Sequence, residues 1–260
     1  MPYESSLRLG VFFLVLAIMA AAETLRPRKR LTAPRFRRWF SNLSVVLIAT
    51  LLVRFLIPLV PTGLAVTLAE RGWGLFNFLS LPQWLTFLPS VLLLDALIYG
   101  QHVLFHHQRL LWRIHRMHHA DVDIDASTGI RFHPIEIFLS MLIKLAAIAL
   151  LGPPPAAVLT FELVLNGCAM FNHANVKLPL GLDATLRLLV VTPDMHRVHH
   201  STHPHEFNAN FGFSFPWWDR LFGTYKAQPD EGHETMVIGL NILRDPKYLS
   251  LPNMLAIPFL

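Results

Sequence analysis

Five apolar runs along the chain predict its main structural elements. Each run is close to the roughly 17 to 20 residues that an α-helix needs to cross a bilayer, and each carries few charged side chains. The runs cover residues 7–22, 43–60, 84–99, 135–151 and 156–171. A membrane-spanning chain must satisfy its own backbone hydrogen bonds, so the pattern predicts an all-α fold, a multi-span helical membrane bundle.

A block of basic residues sets the expected orientation of these spans. It follows the first run and consists of Arg26, Arg28, Lys29, Arg30, Arg35, Arg37 and Arg38. Because positively charged loops stay in the cytoplasm, the first helix enters from outside and the later runs alternate. On this topology every histidine cluster falls on the cytoplasmic side. We expect residues 62–83 to form an interfacial loop or a short re-entrant helix, and residues from 178 onward to form a cytosolic histidine-rich helical cap.

The first apolar run has a second interpretation. Ala20 to Ala22 look like the processing site of a cleaved signal peptide. However, Glu4 lies in the segment that a signal peptide keeps basic, and the basic block follows the run instead of preceding it. These features favour a retained helix with its N-terminus outside.

Composition agrees with a membrane protein and points to a metal. The 260 residues are 53% hydrophobic and only 15% charged, whereas soluble domains carry about 25% charged residues. This balance argues against a soluble globular protein and against disorder. The single cysteine, Cys168, excludes a disulfide framework and any metal site built from cysteines. Histidine occurs 14 times, and 13 of the 14 copies lie between His102 and His205.

The histidines recur at helical spacing. The chain contains one HxxxH motif and two HxxHH motifs, with another histidine between them in the segment Asn172-His173-Ala174-Asn175. Residues three and four apart share one helix face. Neutral imidazole binds iron, copper, zinc and nickel, and eight or nine ligands exceed what one ion can use, so we expect two metals. A two-metal site with few carboxylates suits O₂ activation, whereas two zinc ions indicate hydrolysis.

These motifs resemble the fatty acid hydroxylase/sterol desaturase superfamily of membrane histidine-box di-iron enzymes. Trp112, the segment 131–136, Pro193 and the segment 210–224 add to the resemblance, which runs from Asp95 to Thr224. It implies two non-haem iron ions and O₂ as a co-substrate. The metal ligands that it implies are His102, His106, His115, His118, His119, His196, His199 and His200, with His173 as the ninth.

Other polar residues are expected around the ligands. Ligating imidazoles usually donate their second N–H to a carboxylate or carbonyl. Candidates for such support are Asp95, Tyr99, His133, Glu136, Asn172, Asn175, Asp194 and Asp219. For His133 a distant ligand role stays open. We assign no catalytic residue beyond the metal ligands, and His107, His203, His205 and His233 receive no ligand role.

Two groups of charged residues have ambiguous patterns. Asp121, Asp123 and Asp125 alternate just past the first HxxHH motif, which is typical of a solvated loop. Lys144 lies midway along the fourth apolar run. It is either a snorkelling cation or a functional group.

The leading functional hypothesis is a membrane-bound iron-dependent oxidoreductase. It would use O₂ and external electrons to hydroxylate or desaturate a C–H position of a lipid, fatty acyl, sterol or related. Electrons would come from a separate ferredoxin- or cytochrome-type donor, and no nucleic acid is expected. A histidine-rich metal-binding or transport protein is an alternative, although transport sites lie near the bilayer midplane. A zinc-dependent membrane hydrolase would need a carboxylate base beside its histidines, as in HExxH.

The expected domain organisation follows these motifs. Residues 1–94 form N-terminal transmembrane spans and the basic cytoplasmic loop. Residues 95–225 form a di-iron catalytic domain that includes a transmembrane hairpin, 135–171. Residues 226–260 form a C-terminal tail.

Overall fold

The structure, a computed structural model, describes residues 3–260, and its regular elements are helices. Within that range the backbone forms no β-strand beyond two isolated bridges. The α-helices are α1 (Glu4–Leu25), α2 (Arg35–Leu56), α3 (Pro61–Arg71), α4 (Leu75–Phe78), α5 (Gln83–His107), α6 (Arg109–His119), α7 (Pro134–Leu151), α8 (Pro155–Asn172), α9 (Leu180–Leu186), α10 (Pro193–His199), α11 (Pro204–Phe207), α12 (Trp217–Leu221) and α13 (Leu251–Ala256). The predicted all-α fold is confirmed.

Five of these segments are long and apolar enough to cross a membrane, as hydropathy predicted. Four of them are the helices α1, α5, α7 and α8. The other is the stretch Arg35–Phe78, which begins with α2. Their outward faces carry large exposed apolar side chains, among them Phe13, Leu51, Phe55, Leu88 and Leu150. An apolar surface of this extent indicates contact with lipid.

Helix α8 lies at the centre of the bundle. It packs against α1, α3 and α5, while α2 packs against α7. The interior between these helices is filled by buried side chains such as Leu94, Ile98 and Phe161. The spans therefore enclose an apolar core, and the short helices α9 to α13 follow the spans in the chain.

Residues 62–83 contain most of α3 and the short helix α4 with turns beside them, so the segment is largely helical and not the expected interfacial loop, while the short re-entrant helix stays a prediction. Helix α3 starts with Pro61 at its first turn and ends at Gly72, which has φ of +66°. Proline at the first helical position and left-handed glycine at the end are favoured helix boundaries. Gly74 then passes so close to Gly152 that a Cβ at Gly74 would lie 2.4 Å from the Gly152 nitrogen. This approach joins the α3–α4 segment to the turn between α7 and α8.

Ion pairs neutralise the charges inside the bundle. Lys144 on α7 pairs with Glu162 on α8. Arg8 on α1 also reaches Glu162 at 2.6 Å and Glu4 at 2.9 Å. Charges removed from water need such partners. Lys144 is thus an ion-pair partner within the bundle and not a snorkelling cation.

A fully buried arginine organises the loop that follows α6. Arg38 on α2 donates to both carboxylate oxygens of Asp121, at 2.7 and 2.8 Å. It also donates to Asp125 at 2.5 Å and to the Thr128 hydroxyl at 3.1 Å. Burial by itself would raise the pKa of Asp121, but the Arg38 guanidinium outweighs it and lowers that pKa to about 2. Asp121 is therefore ionised at neutral pH and paired.

The expectation of a solvated loop at Asp121, Asp123 and Asp125 is wrong. All three side chains are buried, between 0% and 5% exposed. Asp123 accepts hydrogen bonds from the backbone of Thr32 and Ala33. The alternation of aspartates reflects a loop that binds α2 and the segment before it.

We expect Arg38→Ala to destabilise the fold by about 3 to 5 kcal/mol, because it leaves buried carboxylates without their counter-charge. Equilibrium unfolding in detergent micelles measures this change. The matched control is Arg37→Ala, since Arg37 is the adjacent residue on the same helix and is exposed. Equal unfolding free energies for the two variants would contradict the role given to Arg38.

Candidate metal centre

The structure brings all nine sequence-predicted ligands together in two groups. The first group contains His102, His106, His115, His119 and His199. The second group contains His118, His173, His196 and His200. Within each group the candidate ligand atoms lie within 4.8 Å of one another. All nine side chains are buried, at most 9% exposed.

The two HxxHH motifs each serve both groups. On α6 and α10, neighbouring residues point about 100° apart, so the two adjacent histidines of a motif diverge. His118 enters the second group while His119 enters the first. In the other motif His199 enters the first group while His200 enters the second. The groups are therefore interleaved by the helical geometry of the motifs.

In the first group, backbone carbonyls fix which ring nitrogen carries hydrogen. His102 donates from Nδ1 to the Phe211 carbonyl at 2.7 Å, and His199 donates from Nδ1 to the Ala209 carbonyl at 2.8 Å. A carbonyl only accepts, so each Nε2 presents a lone pair. The two Nε2 atoms are nevertheless 3.0 Å apart. Burial lowers the pKa of His199 to about 3, so its Nε2 carries no proton at neutral pH.

The second group repeats this arrangement around His173. Its Nδ1 donates to the Ala169 carbonyl at 2.7 Å. Its Nε2 lies 3.1 Å from Nε2 of both His118 and His196. Burial lowers the pKa of His173 to about 3. The Ala169 carbonyl packs closely against Gly129. A Cβ added at Gly129 would lie 2.2 Å from the carbonyl oxygen, so a glycine is needed there.

One carboxylate supports a histidine directly. Glu136, in the first turn of α7, accepts from His115 Nδ1 at 2.7 Å. Nε2 of His115 is buried and has no hydrogen-bond partner among the described residues. A carboxylate on one imidazole nitrogen and a metal on the other is a common arrangement.

The donor set fits transition-metal ions. The facing lone pairs of His102 and His199, 3.0 Å apart, repel each other in a buried site unless a cation lies between them. The ligand atoms of both groups are all imidazole nitrogens, which suit iron, copper, zinc or nickel and not magnesium or calcium. Five and four candidate ligands match the coordination numbers of two such ions.

The remaining support candidates act at a distance from the imidazoles. Asp219 accepts from the backbone N–H of Phe211 and Gly212, both at 2.8 Å, and so holds the segment whose carbonyl contacts His102. Asn172 donates to the Phe213 carbonyl at 2.8 Å.

The other candidates bond elsewhere. Asp95 accepts from the Trp218 indole, and Tyr99 bonds the Thr224 hydroxyl. Asn175 bonds the Lys29 backbone, and Asp194 pairs with Arg28. His133 accepts the N–H of Ile135 at the start of α7 and lies outside both groups.

No sequence pattern marks the main partners of the Nδ1 atoms. These are the carbonyls of Ala169, Ala209 and Phe211, and any residue type can supply a carbonyl. Of the side-chain candidates, Glu136 is the one seen in direct contact with a grouped imidazole.

The other histidines lie apart from the two groups. His107 is exposed and bonds the carbonyl of its own helix at Val103. His203 contacts Glu231, and His233 contacts Gln228. His205 approaches Glu206 and Asp230 in a third, more exposed group. There Lys226 lies 2.5 Å from Asp230 and already supplies a cation.

A cavity of about 160 Å³ adjoins the first group. His102 and His115 form part of its wall. Apolar side chains from the spans form most of the rest, including Phe12 on α1, Val46 on α2 and Leu165 on α8. The site thus connects a set of buried imidazoles with an apolar space among the membrane helices.

Several characterised proteins are similar to this chain. Alkylglycerol monooxygenase from Danio rerio is 32% identical over 61% of this chain and 35% of its own length. An ornithine lipid hydroxylase from Rhizobium tropici is 28% identical over 84% of this chain and 67% of its own length. A very-long-chain aldehyde decarbonylase from Oryza sativa subsp. japonica is 28% identical over 67% of this chain and 29% of its own length.

The extent of these matches differs between the proteins. The chain spans about a third of the length of the alkylglycerol monooxygenase that it matches. No solved structure matches it. The family model named Fatty acid hydroxylase matches residues 87–224, just over half of the chain, and this range contains all nine grouped histidines. This chain belongs to the fatty acid hydroxylase family.

Proposed function

We propose that this chain is a membrane-bound, iron-dependent oxygenase that hydroxylates a C–H position of a lipid. The observation that carries the proposal is the pair of buried imidazole groups beside an apolar cavity among the spans. Family membership and relatives named for lipid hydroxylation and monooxygenation support it. Because oxygen-inserting names recur among the relatives, we favour hydroxylation over desaturation.

We propose two iron ions, one in each histidine group. Their ligands would be His102, His106, His115, His119 and His199 in the first group, and His118, His173, His196 and His200 in the second. Bound iron would supply the redox chemistry that activates O₂, which zinc lacks. In the balanced reaction, R–H, O₂, two electrons and two protons give R–OH and water.

The residues of the chain would position the substrate and keep water out. Phe213 faces the His102 ring with centroids 5.1 Å apart, and Phe132 stacks on His118 at 4.4 Å. Both phenylalanines also line the cavity. An alkyl chain in the cavity would therefore meet an aromatic wall immediately beside the imidazoles, and its entry would displace water from an apolar space.

The electrons would come from a separate donor of the ferredoxin or cytochrome type. We place the histidine groups on the cytoplasmic side because the basic loop between α1 and α2 touches the histidine-bearing cap. Arg28 pairs with Asp194 on α10 at 3.0 Å. A basic loop of this kind is retained in the cytoplasm. Its charge would also favour an acidic donor.

We propose residues 95–225, with the hairpin 135–171, as the catalytic unit. Residues 1–94 would complete the cavity through Phe12 and Val46. The tail 226–260 would brace α6, since Arg116 donates to the carbonyls of Ile257 and Leu260.

The alternatives fit less well. A transport site would lie near the bilayer midplane, whereas the grouped histidines occur at the ends of α5 and α8 and in the short helices α6 and α10. A zinc hydrolase needs a free carboxylate base. Glu136 lines the cavity, but one of its oxygens is committed to His115.

Metal analysis of the purified protein tests the proposal. We expect about two iron ions per chain and lipid-dependent O₂ consumption, both abolished by His199→Ala. His233→Ala should retain iron and turnover, because His233 lies outside both groups. The proposal would be contradicted by a protein that contains only zinc and has no oxidase activity. It would also be contradicted if His199→Ala kept its full iron content and turnover.

The support from Glu136 is tested separately. Glu136→Gln removes the charge that faces His115, and we expect iron affinity to fall about 10- to 100-fold. Competition with a chelator measures this affinity. Glu70→Gln, which changes an exposed glutamate on α3, is the control. Unchanged affinity in Glu136→Gln would contradict the role of the Glu136–His115 contact.

A further inference from the structure

The apolar cavity beside the first histidine group contains a polar pair. Gln101 on α5 and Ser140 on α7 both line it. The Gln101 amide nitrogen donates to the Ser140 hydroxyl at 3.1 Å. This contact joins two membrane-spanning helices inside a wall that is otherwise formed mainly by apolar side chains.

The pair leaves hydrogen-bonding capacity unused. Oε1 of Gln101 is buried and has no partner among the described residues. The Ser140 hydroxyl accepts from Gln101, and its own hydrogen remains available for donation. A buried acceptor without a partner is costly, so the pair is arranged for a group that enters the cavity. It offers that group one acceptor and one donor.

The location of the pair relates it to the reacting carbon. Gln101 is adjacent in sequence to His102, which also lines the cavity. Ser140 lies four residues, about one helical turn of 5 to 6 Å, beyond Glu136, the partner of His115. A polar group held by Gln101 and Ser140 would therefore lie only a few bonds from a carbon that faces the first histidine group.

The charge of the cavity restricts what that polar group can be. Among the described residues no lysine or arginine lines it. Its lining carboxylate, Glu136, accepts from His115 through Oε1, and its Oε2 is buried without a partner. A phosphate or carboxylate group would be desolvated here without a counter-charge. An ammonium group has no lone pair and cannot accept from the Ser140 hydroxyl. A neutral group that both donates and accepts satisfies Gln101 and Ser140 together. A hydroxyl beside an ether, or a secondary amide, has this chemistry.

We infer that the cavity selects lipids whose alkyl chain carries a neutral donor–acceptor group, a hydroxyl or an amide N–H, a few bonds from the oxidised carbon. Gln101 accepts from that group and Ser140 donates to it. The inference rests on the proposed function, since it takes the cavity to be the substrate site.

Equilibrium binding to the full chain, purified with its metal in detergent micelles, tests this selectivity. One probe pair is 1-O-hexadecylglycerol and its 2,3-di-O-methyl ether; the other is N-methylhexadecanamide and N,N-dimethylhexadecanamide. Within each pair the second lipid lacks the donor but keeps the acceptors. We expect the natural chain to prefer the donor lipid of at least one pair about tenfold, as for one hydrogen bond. The responding pair identifies a hydroxyl or an amide as the source.

Variants assign the preference to this site. Gln101→Leu, or the closely similar Gln101→Met if the leucine variant does not fold, should reduce the preference to about one. Ser140→Ala should weaken both members of a pair and keep most of the preference. Ile137→Leu, an apolar exchange on the same wall, should leave the binding ratio unchanged.

Two results overturn different statements. If the natural chain binds both members of each pair equally, or Gln101→Leu keeps the preference, the role of Gln101 is wrong while the lipid cavity stands. If no probe binds the natural chain, the cavity is not a lipid site and the proposed function loses its substrate site as well.

Discussion

The structure depends on holding neutral imidazoles together with their lone pairs facing one another. The Nδ1 atoms of His102 and His199 both donate to backbone carbonyls, so their Nε2 lone pairs face each other at 3.0 Å. Such dipoles repel in a buried site, where water cannot screen them. The fold must therefore resist relaxation of these side chains. Backbone carbonyls hold the Nδ1 hydrogens in place. These carbonyls belong to helices and loops, so they cannot turn away independently.

The rigidity extends from the histidines into the surrounding loops. The loop after α6 is held by Arg38, which binds Asp121 and Asp125 from inside the bundle. The segment that bonds His102 is held by Asp219 through backbone N–H groups. Each HxxHH motif contributes to both groups, so a rotation of α6 or α10 would disturb both at once. The two candidate metal sites are in this way parts of one mechanical unit.

Sequence reasoning succeeded where the relevant physics is local. Apolar runs of membrane length identified the five spans, and helical spacing identified the nine grouped histidines. It failed where the physics is long-range. The burial of Asp123 and its neighbours depends on α2 and the segment before it, far away in the chain. The pairing of Lys144 depends on Glu162 from another helix. Any residue type can supply a carbonyl, so residue identity does not reveal this support. Most of the side chains predicted to contact the imidazoles therefore lie at a distance from them in the structure.

Polar and charged side chains inside the bundle differ in whether their hydrogen-bonding groups are satisfied. Ion pairs inside the bundle, such as Arg8 with Glu162, neutralise each other and need no ligand. Gln101 differs, because half of its amide is satisfied by Ser140 and the other half faces no partner. An apolar residue at that position would pack without an orphaned acceptor, so stability does not explain the glutamine. A local rule broken in the wall of a cavity is typical of a position selected for binding. Gln101 lines the same cavity as His102 and His115, and recognition of a substrate in that cavity gives the unsatisfied oxygen a physical reason.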